Sequence, residues 1–306
     1  MRGRDLLSIQ DLSQAEVALV FEKAAAMKAS RSKGPGEQPL AGKTVAMIFE
    51  KPSLRTRVTF EAAVFELGGR AVYLSPQDIQ MGKREPVADV ARNLERWVHG
   101  IIARTFAHET LVELAENANV PVINALSDLE HPCQALADIF TVLERKGDLR
   151  GLRLAYLGDG CNTCNSLMLL CPKVGMHVAV GAPRGYEPRE EVTSAARELA
   201  TRAGTILEIT NDPFAAASGA DVIYTDVWAS MGLEQEREER LKVFPPYQVN
   251  AELLRHAKPD ATVLHCLPAH RGEEITAEVL DGLQSAALDE AENRLHAQKA
   301  LLSLIF

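Results

Sequence analysis

Nine short apolar runs are spaced along the chain, and most are separated by stretches in which apolar residues recur every three or four positions. Four fall in the first half: "TVAMIFE" (44–50), "AVYLS" (71–75), "GIIARTF" (100–106) and "PVINA" (121–125). Five fall in the second: "LRLAYLGD" (152–159), "HVAVGAP" (177–183), "TILEIT" (205–210), "VIYTDVW" (222–228) and "TVLHCLP" (262–268). Runs of this length, rich in Val, Ile and Leu and lacking strict alternation, fit strands covered on both faces. Strands alternating with helical patterns predict parallel sheets. The fold class expected is α/β, as two doubly wound parallel-sheet domains with the functional site in the cleft between them. Residues 12–29 read as an amphipathic helix, with Leu12 and Ser13 at its start. The polar patch "KGDLRG" (146–151) marks a boundary. The expected domains are 1–147 and 148–288, with a C-terminal helix, 289–306, packing back on the first.

Placing the polar residues on this frame shows where chemistry should lie. Ser53 follows the first run, Arg104 ends the third, and Gly158-Asp159-Gly160 follow the fifth. Asp226 and Cys266 follow two more. Open α/β sheets bind ligands at the carboxyl ends of their strands, so these spots should converge on a site.

Composition narrows the class of ligand. Hydrophobic residues make up 46% and charged residues 25% of the 306, as expected of a globular chain. The net charge of −9 argues against nucleic acid, which needs a basic face. No apolar run approaches the ~20 residues of a membrane span, and the start of the chain does not read as a secretory or transit signal. The five cysteines, an odd number, suit a reducing, cytoplasmic setting.

Against that acidic background, "EKPSLRTRVTFEAA" (50–63) is a local basic spot at a helix start. Ser53 suits an N-cap, and the free N–H groups beyond it would cradle an anion with help from the helix dipole. Arg55 and Arg57 are two apart and point to nearly opposite sides, so only Arg55, beside Thr56, would grip the same anion. Arg57 is assigned a structural role. In "HPCQ", His131 and Gln134 share one face of a helix's first turn. They could polarise a carbonyl and read an amide; taken alone, the segment fits a capping His with a solvated Gln better. In "DVWASMG" the Asp226 carboxylate could hold an ammonium or make an ordinary Asx turn. Cys266 in "HCLPAHRGEE" could be reactive or a buried inert thiol. The C-x-x-C of Cys161 and Cys164 has no second pair and is a weak metal signal. No metal and no cofactor are expected. "GDGCNTCN" also lacks the glycine fingerprint of a dinucleotide site.

Together these segments resemble the aspartate/ornithine carbamoyltransferase family, its ornithine-using branch above all. "SLRTR" resembles the family's S-T-R-T-R motif, and "HPCQALADIFT" its H-P-x-Q-x-L-A-D helix. "DVWASMG" is similar to its D-x-W-x-S-M-G loop and "HCLPAHRGEE" to its H-C-L-P segment, while "RDLLSIQDLS" and "AENRLHAQKALL" resemble its two ends. The resemblance implies transfer of the carbamoyl group of carbamoyl phosphate to the δ-amine of L-ornithine, giving L-citrulline and phosphate. Putrescine, an acylated ornithine or aspartate is the alternative acceptor. Ser53, Leu54, Arg55, Thr56, Arg104, His131, Gln134 and Arg294 would hold carbamoyl phosphate, with backbone carbonyls of Cys266 and Leu267. Gln80 would reach toward a neighbouring subunit's site in a homotrimer or a multiple of trimers. Asn162, Asp226, Ser230 and Met231 would bind ornithine, and Arg104, His131, Cys266 and Asp226 would be catalytic. Two departures stand out: Leu54 replaces the family's Thr, and Cys161 replaces its first Asn.

Overall fold

The computed structural model describes residues 1–34, 36–229 and 234–306. Its chain divides into two compact units, residues Met1–Ala137 with Arg294–Phe306, and Asp138–Asn293.

The first unit is built on four parallel strands, β1 (Thr44–Phe49), β2 (Arg70–Leu74), β3 (Ile101–Arg104) and β4 (Val122–Leu126), in the order β2-β1-β3-β4. Around them lie α1 (Gln14–Ser30), α2 (Leu54–Glu66), α3 (Pro76–Ile79), α4 (Val87–Leu94), α5 (His108–Asn117) and the start of α6 (Pro132–Lys146). Central β1 is buried almost throughout, whereas edge strand β2 is partly exposed. Ala46, Ile48, Ile101 and Ala103 pack with Val90, Leu94, Leu111 and Leu114 of α4 and α5. Ser13 and Glu16 form a reciprocal capping box that starts α1.

The second unit has five parallel strands, β5 (Arg153–Leu157), β6 (His177–Gly181), β7 (Leu207–Thr210), β8 (Val222–Thr225) and β9 (Thr262–His265), ordered β7-β6-β5-β8-β9. Its helices are α7 (Asn162–Lys173), α8 (Glu190–Ala203), α9 (Pro213–Ala217), α10 (Arg237–Val243), α11 (Ala251–Leu254), α12 (Ala277–Leu280) and the start of α13 (Ala287–Ile305). Its core joins Ala155, Leu157, Ile223 and Val263 to Ala216, Leu253 and Val279.

All nine expected strands are present. The unit boundaries differ from the expected 147 and 288, because they fall inside α6 and α13. The later part of α6 is tied to the first turns of α13: Asn293 donates to Thr141 Oγ1 (3.0 Å) and Glu144 Oε2 (2.7 Å), and Arg145 pairs with Asp289. From Arg294 onward α13 bonds to the first unit instead, through Arg294 to Thr56 and Lys299 to Glu66. Each long helix thus serves two cores, which a boundary read from loop composition does not capture. Among the described residues, no helix is long and apolar enough to cross a membrane.

Candidate functional site

Both strand orders contain a point where the chain reverses direction across the sheet, between β1 and β3 and between β5 and β8. Connections leave such neighbouring strands toward opposite faces, which opens a crevice at their carboxyl ends. The register aligns those ends, with Phe49 opposite Arg104 and Leu157 opposite Thr225. Ser53 and Arg104 lie at the first switch point, and the Gly158–Gly160 turn and Asp226 at the second.

The first unit's half-site is a cationic cradle. Ser53 caps α2, its Oγ accepting the Thr56 N–H at 3.2 Å. Arg294 donates from Nη2 to Thr56 Oγ1 at 3.0 Å and from Nη1 to Gln134 Oε1. Gln134 stands in the first turn of α6, and its own N–H bonds the His131 carbonyl at 3.0 Å. Arg104 is buried, and the register of β3 against β4 shifts between Ala103 and Arg104. Such a bulge re-aims the side chain that follows it. Arg55, Arg104 and Arg294 all face His131. Burial first, and then these three guanidinium charges in the order Arg294, Arg104, Arg55, hold the imidazole's pKa well below its ordinary value. It is therefore neutral near pH 7 and able to donate one hydrogen bond without adding charge.

The structure separates the residues of "SLRTR" by role. Thr56 is buried while Leu54 is exposed, so Leu54 offers the cradle only its N–H at the first helical position. The departure from Thr at that position removes no buried contact. Arg57 turns away, bonding Glu61 at 2.9 Å and stacking on Tyr73 with its guanidinium carbon 3.6 Å from the ring centroid. Gln80 is exposed and left-handed (φ 45°) at the end of α3, and it lines a cleft with Phe49, Glu50 and Phe106 at the carboxyl end of β1.

The second unit's half-site has the opposite charge. Asp226 follows β8; its Oδ1 accepts its neighbour Val227's N–H at 2.7 Å, and Thr163 donates to Oδ2 at 3.4 Å. The Cys161 thiol lies 3.9 Å from the same Oδ2 and 3.2 Å from the Tyr156 hydroxyl. Burial, then Asp226 and Asp159, push that thiol up to about 12. Asn162 opens α7 beside it. Cys266 is raised well above the ordinary thiol value by burial and then by Asp226, Glu290 and Asp138. Burial and these neighbouring acids disfavour a thiolate base at Cys266 and keep the thiol protonated near neutral pH. Ser230 and Met231 lie outside the described residues.

Two supporting groups were given no role from sequence, although His265 opens the "HCLP" segment. His265 accepts the Leu267 N–H on Nδ1 at 2.9 Å, so its proton sits on Nε2 and is donated to Glu274 at 2.9 Å. This fixes the backbone of Cys266 and Leu267, where Leu267 takes φ 56°. Glu290 accepts from the His265 N–H at 2.9 Å and from Tyr224 at 3.3 Å. Burial, and then Asp138, which shares a hydrogen bond with it, raise Glu290's pKa well above the ordinary value. Asp226, His265 and Cys266 each place one potential metal-ligand atom within 4.8 Å of the others. Both imidazole nitrogens of His265 are engaged as described, which leaves that trio short of a cation cage.

Two parallel α/β units, one gathering cations at its switch point and the other carboxylates, offer one half-site suited to an anion and one suited to a cation, as a group-transfer enzyme with two such substrates requires. Comparison with known proteins agrees. The carbamoyl-P binding domain of aspartate/ornithine carbamoyltransferase matches residues 4–144, and the Asp/Orn binding domain of the same family matches residues 150–305. The chain belongs to the aspartate/ornithine carbamoyltransferase family. It is 55% identical to an ornithine carbamoyltransferase of Carboxydothermus hydrogenoformans, over 99% of this chain and 98% of that one. It is 52% identical to a Pyrococcus furiosus protein described as "Ornithine carbamoyltransferase, anabolic", over 100% and 97%. The solved ornithine carbamoyltransferase structure from Pyrococcus furiosus superposes with a TM-score of 0.96 at 52% identity, covering 99% of this chain and 97% of that one.

Proposed function

We propose that this chain transfers the carbamoyl group of carbamoyl phosphate to the δ-amine of L-ornithine, yielding L-citrulline and phosphate in the anabolic direction. The observation that carries this reading is the pairing of charge: three arginines around a neutral histidine in one unit, and carboxylates around neutral thiols in the other. Full-length relatives named for this activity support it.

Carbamoyl phosphate is a compact anion. Ser53, the N–H groups of Leu54 and Thr56, and Arg55 hold its phosphate with charge-assisted bonds at the helix N-terminus. Gln134, oriented by Arg294, reads the carbamoyl amide, with the carbonyls of Cys266 and Leu267 accepting from its NH₂. Ornithine binds through Asn162, Asp226, Ser230 and Met231. Its δ-ammonium, with an alkylammonium pKa of roughly 10.4, has no lone pair until it loses a proton. Asp226 orients the amine and neutral Cys266 packs beside it, so substrate phosphate is the better-placed acceptor for that proton. Attack on the carbamoyl carbon forms a C–N bond and puts negative charge on the carbonyl oxygen. Arg104, neutral His131 and Thr56 stabilise that oxygen. Collapse then breaks the bond to phosphate, whose charge Arg55 retains.

The enzyme is further read as cytoplasmic and as a homotrimer or a multiple of trimers, with Gln80 serving a neighbouring subunit's site. A panel of acceptors tests the central claim. With carbamoyl phosphate, L-ornithine should give citrulline at far higher kcat/KM than putrescine, N-acetylornithine or aspartate. Preference for any of those three would replace the acceptor.

A further inference from the structure

Arg240 on α10 belongs to neither half-site, yet it is a buried arginine, which is costly unless its charge and donors are matched. Its Nη1 lies 3.0 Å from Asp159 Oδ1 and donates to the Trp228 carbonyl at 2.7 Å. Nε and Nη2 bond Glu236 at 3.1 and 3.0 Å. The guanidinium lies 4.9 Å from the Tyr186 ring and 5.6 Å from the Phe244 ring, and Trp228 packs on Phe244.

The segments gathered here frame the acceptor half-site. Asp159 lies in the turn after β5, three residues before Asn162. Trp228 lies two residues after Asp226. Ser230 and Met231 fall in sequence between Trp228 and Arg240. The turn itself is held close: Gly160 N–H bonds the Tyr186 carbonyl at 2.8 Å, and a Cβ on Gly160 would meet Pro188 N at 2.2 Å.

We propose that Asp159 and Arg240 are a positioning pair for the acceptor: one guanidinium nitrogen bridges the turn leading to Asn162 and the strand end bearing Asp226, and so sets the spacing of two ornithine-binding groups. The inference rests on reading this half-site as the ornithine site. It also makes that spacing sensitive to pH. Burial pushes the Asp159 carboxyl up to about 6; Arg240 opposes this, while Asp226 and Glu236 reinforce it. These, with the Cys161 and Cys164 thiols, which burial and nearby acids including Asp159 keep neutral, are the titratable groups that face it among the described residues, from α10 and the turn before it, the end of β8 and the start of α7. The carboxylate therefore holds Arg240 fully only above about pH 6.

Steady-state kinetics on the full-length Asp159→Asn, Arg240→Lys and double variants test the pair. We expect the ornithine KM near neutral pH to rise about tenfold or more, as for a misplaced binding group, with the carbamoyl phosphate KM unchanged. The double variant should be no worse than the more impaired single, because both remove one interaction. Equal rises in both KM values, or none, would overturn the proposal. A second readout needs no turnover. The chain has two tryptophans, so Trp97→Phe leaves Trp228 alone. Its emission should titrate with a midpoint near 6, and Asp159→Asn should abolish that transition. A transition that survives Asp159→Asn would defeat the proposal. If the unmodified enzyme made no citrulline, the ornithine reading would fail, while the Trp228 titration would still judge the pair.

Discussion

The two half-sites are built on the same scaffold and carry opposite electrostatics. Each lies at the carboxyl ends of neighbouring parallel strands where the strand order reverses. In the first unit a buried imidazole is driven toward neutrality by burial and three arginines. In the second, buried thiols and carboxyls are driven to hold their protons by burial and neighbouring acids. The difference teaches that the fold supplies only location. Ligand charge is written in which neutral groups the surroundings create: a donor that adds no charge beside an anion, and thiols that add none beside an ammonium.

The largest effect is expected where this contrast is broken at its source. Arg55→Ala removes the proposed phosphate grip at a side chain that is not part of the buried core. Citrulline formation should fall by about 10²–10³, the usual cost of one electrostatic donor at a reacting centre. The melting curve should stay close to that of the unmodified chain. Ordinary turnover at ordinary carbamoyl phosphate concentrations would refute the clamp.

A smaller, more selective effect belongs to the second half-site. Asp226→Asn removes a carboxylate that faces Cys266 and, in the proposed reading, ornithine. Losing a charged hydrogen bond of ~1.5–3 kcal/mol should raise the ornithine KM by about 10- to 100-fold, with little change for carbamoyl phosphate. The same substitution should loosen the Cys266 proton, since after burial Asp226 does most to raise its pKa. Alkylation at about pH 8.5, where an ordinary thiol is half ionised, followed by peptide mapping, reads this directly. Cys266 should be protected in the unmodified chain and faster to react in the variant. Rapid alkylation of the unmodified chain would mean that the carboxylate ring does not hold the proton.

What the sequence made legible follows the range of the physics. The strands were readable because burial on both faces of a parallel sheet demands continuous apolar runs. The site positions were readable because such sheets place their strand-end residues together. The four-residue helices α3, α11 and α12 were not, since they are too short to show a helical period. Nor were the bonds that set the site's electrostatics. Arg294 reaches Thr56 across 238 residues, and Arg240 reaches Asp159 across some eighty. No local pattern specifies such partners; only the folded register does. Arg294 entered through family resemblance, and Arg240 did not enter at all. Ser230 and Met231 rest on that resemblance alone.

The smallest expected effect turns the comparison into a pH dependence of stability. His131 has a folded pKa well below the ordinary 6.5. As pH falls below about 6.5 the unfolded chain takes up this proton and the native chain does not. Stability is therefore lost toward acid, at up to ~1.4 kcal/mol per pH unit for one group. Glu290 works in the other direction. Its folded pKa is raised well above 4.5, so the native chain keeps a proton that the unfolded chain releases above about 4.5, and its contribution is lost as pH rises. Between about 4.5 and 6.5 the first unit is thus weakened by acid through His131 while the second is favoured by it through Glu290. Urea unfolding across this range should show His131→Gln losing less stability toward pH 5 than the unmodified chain, and Glu290→Gln losing more. If His131→Gln left the acid slope unchanged, His131 would have to be protonated in the native chain, and the cradle would not be the neutralising environment that its three arginines imply.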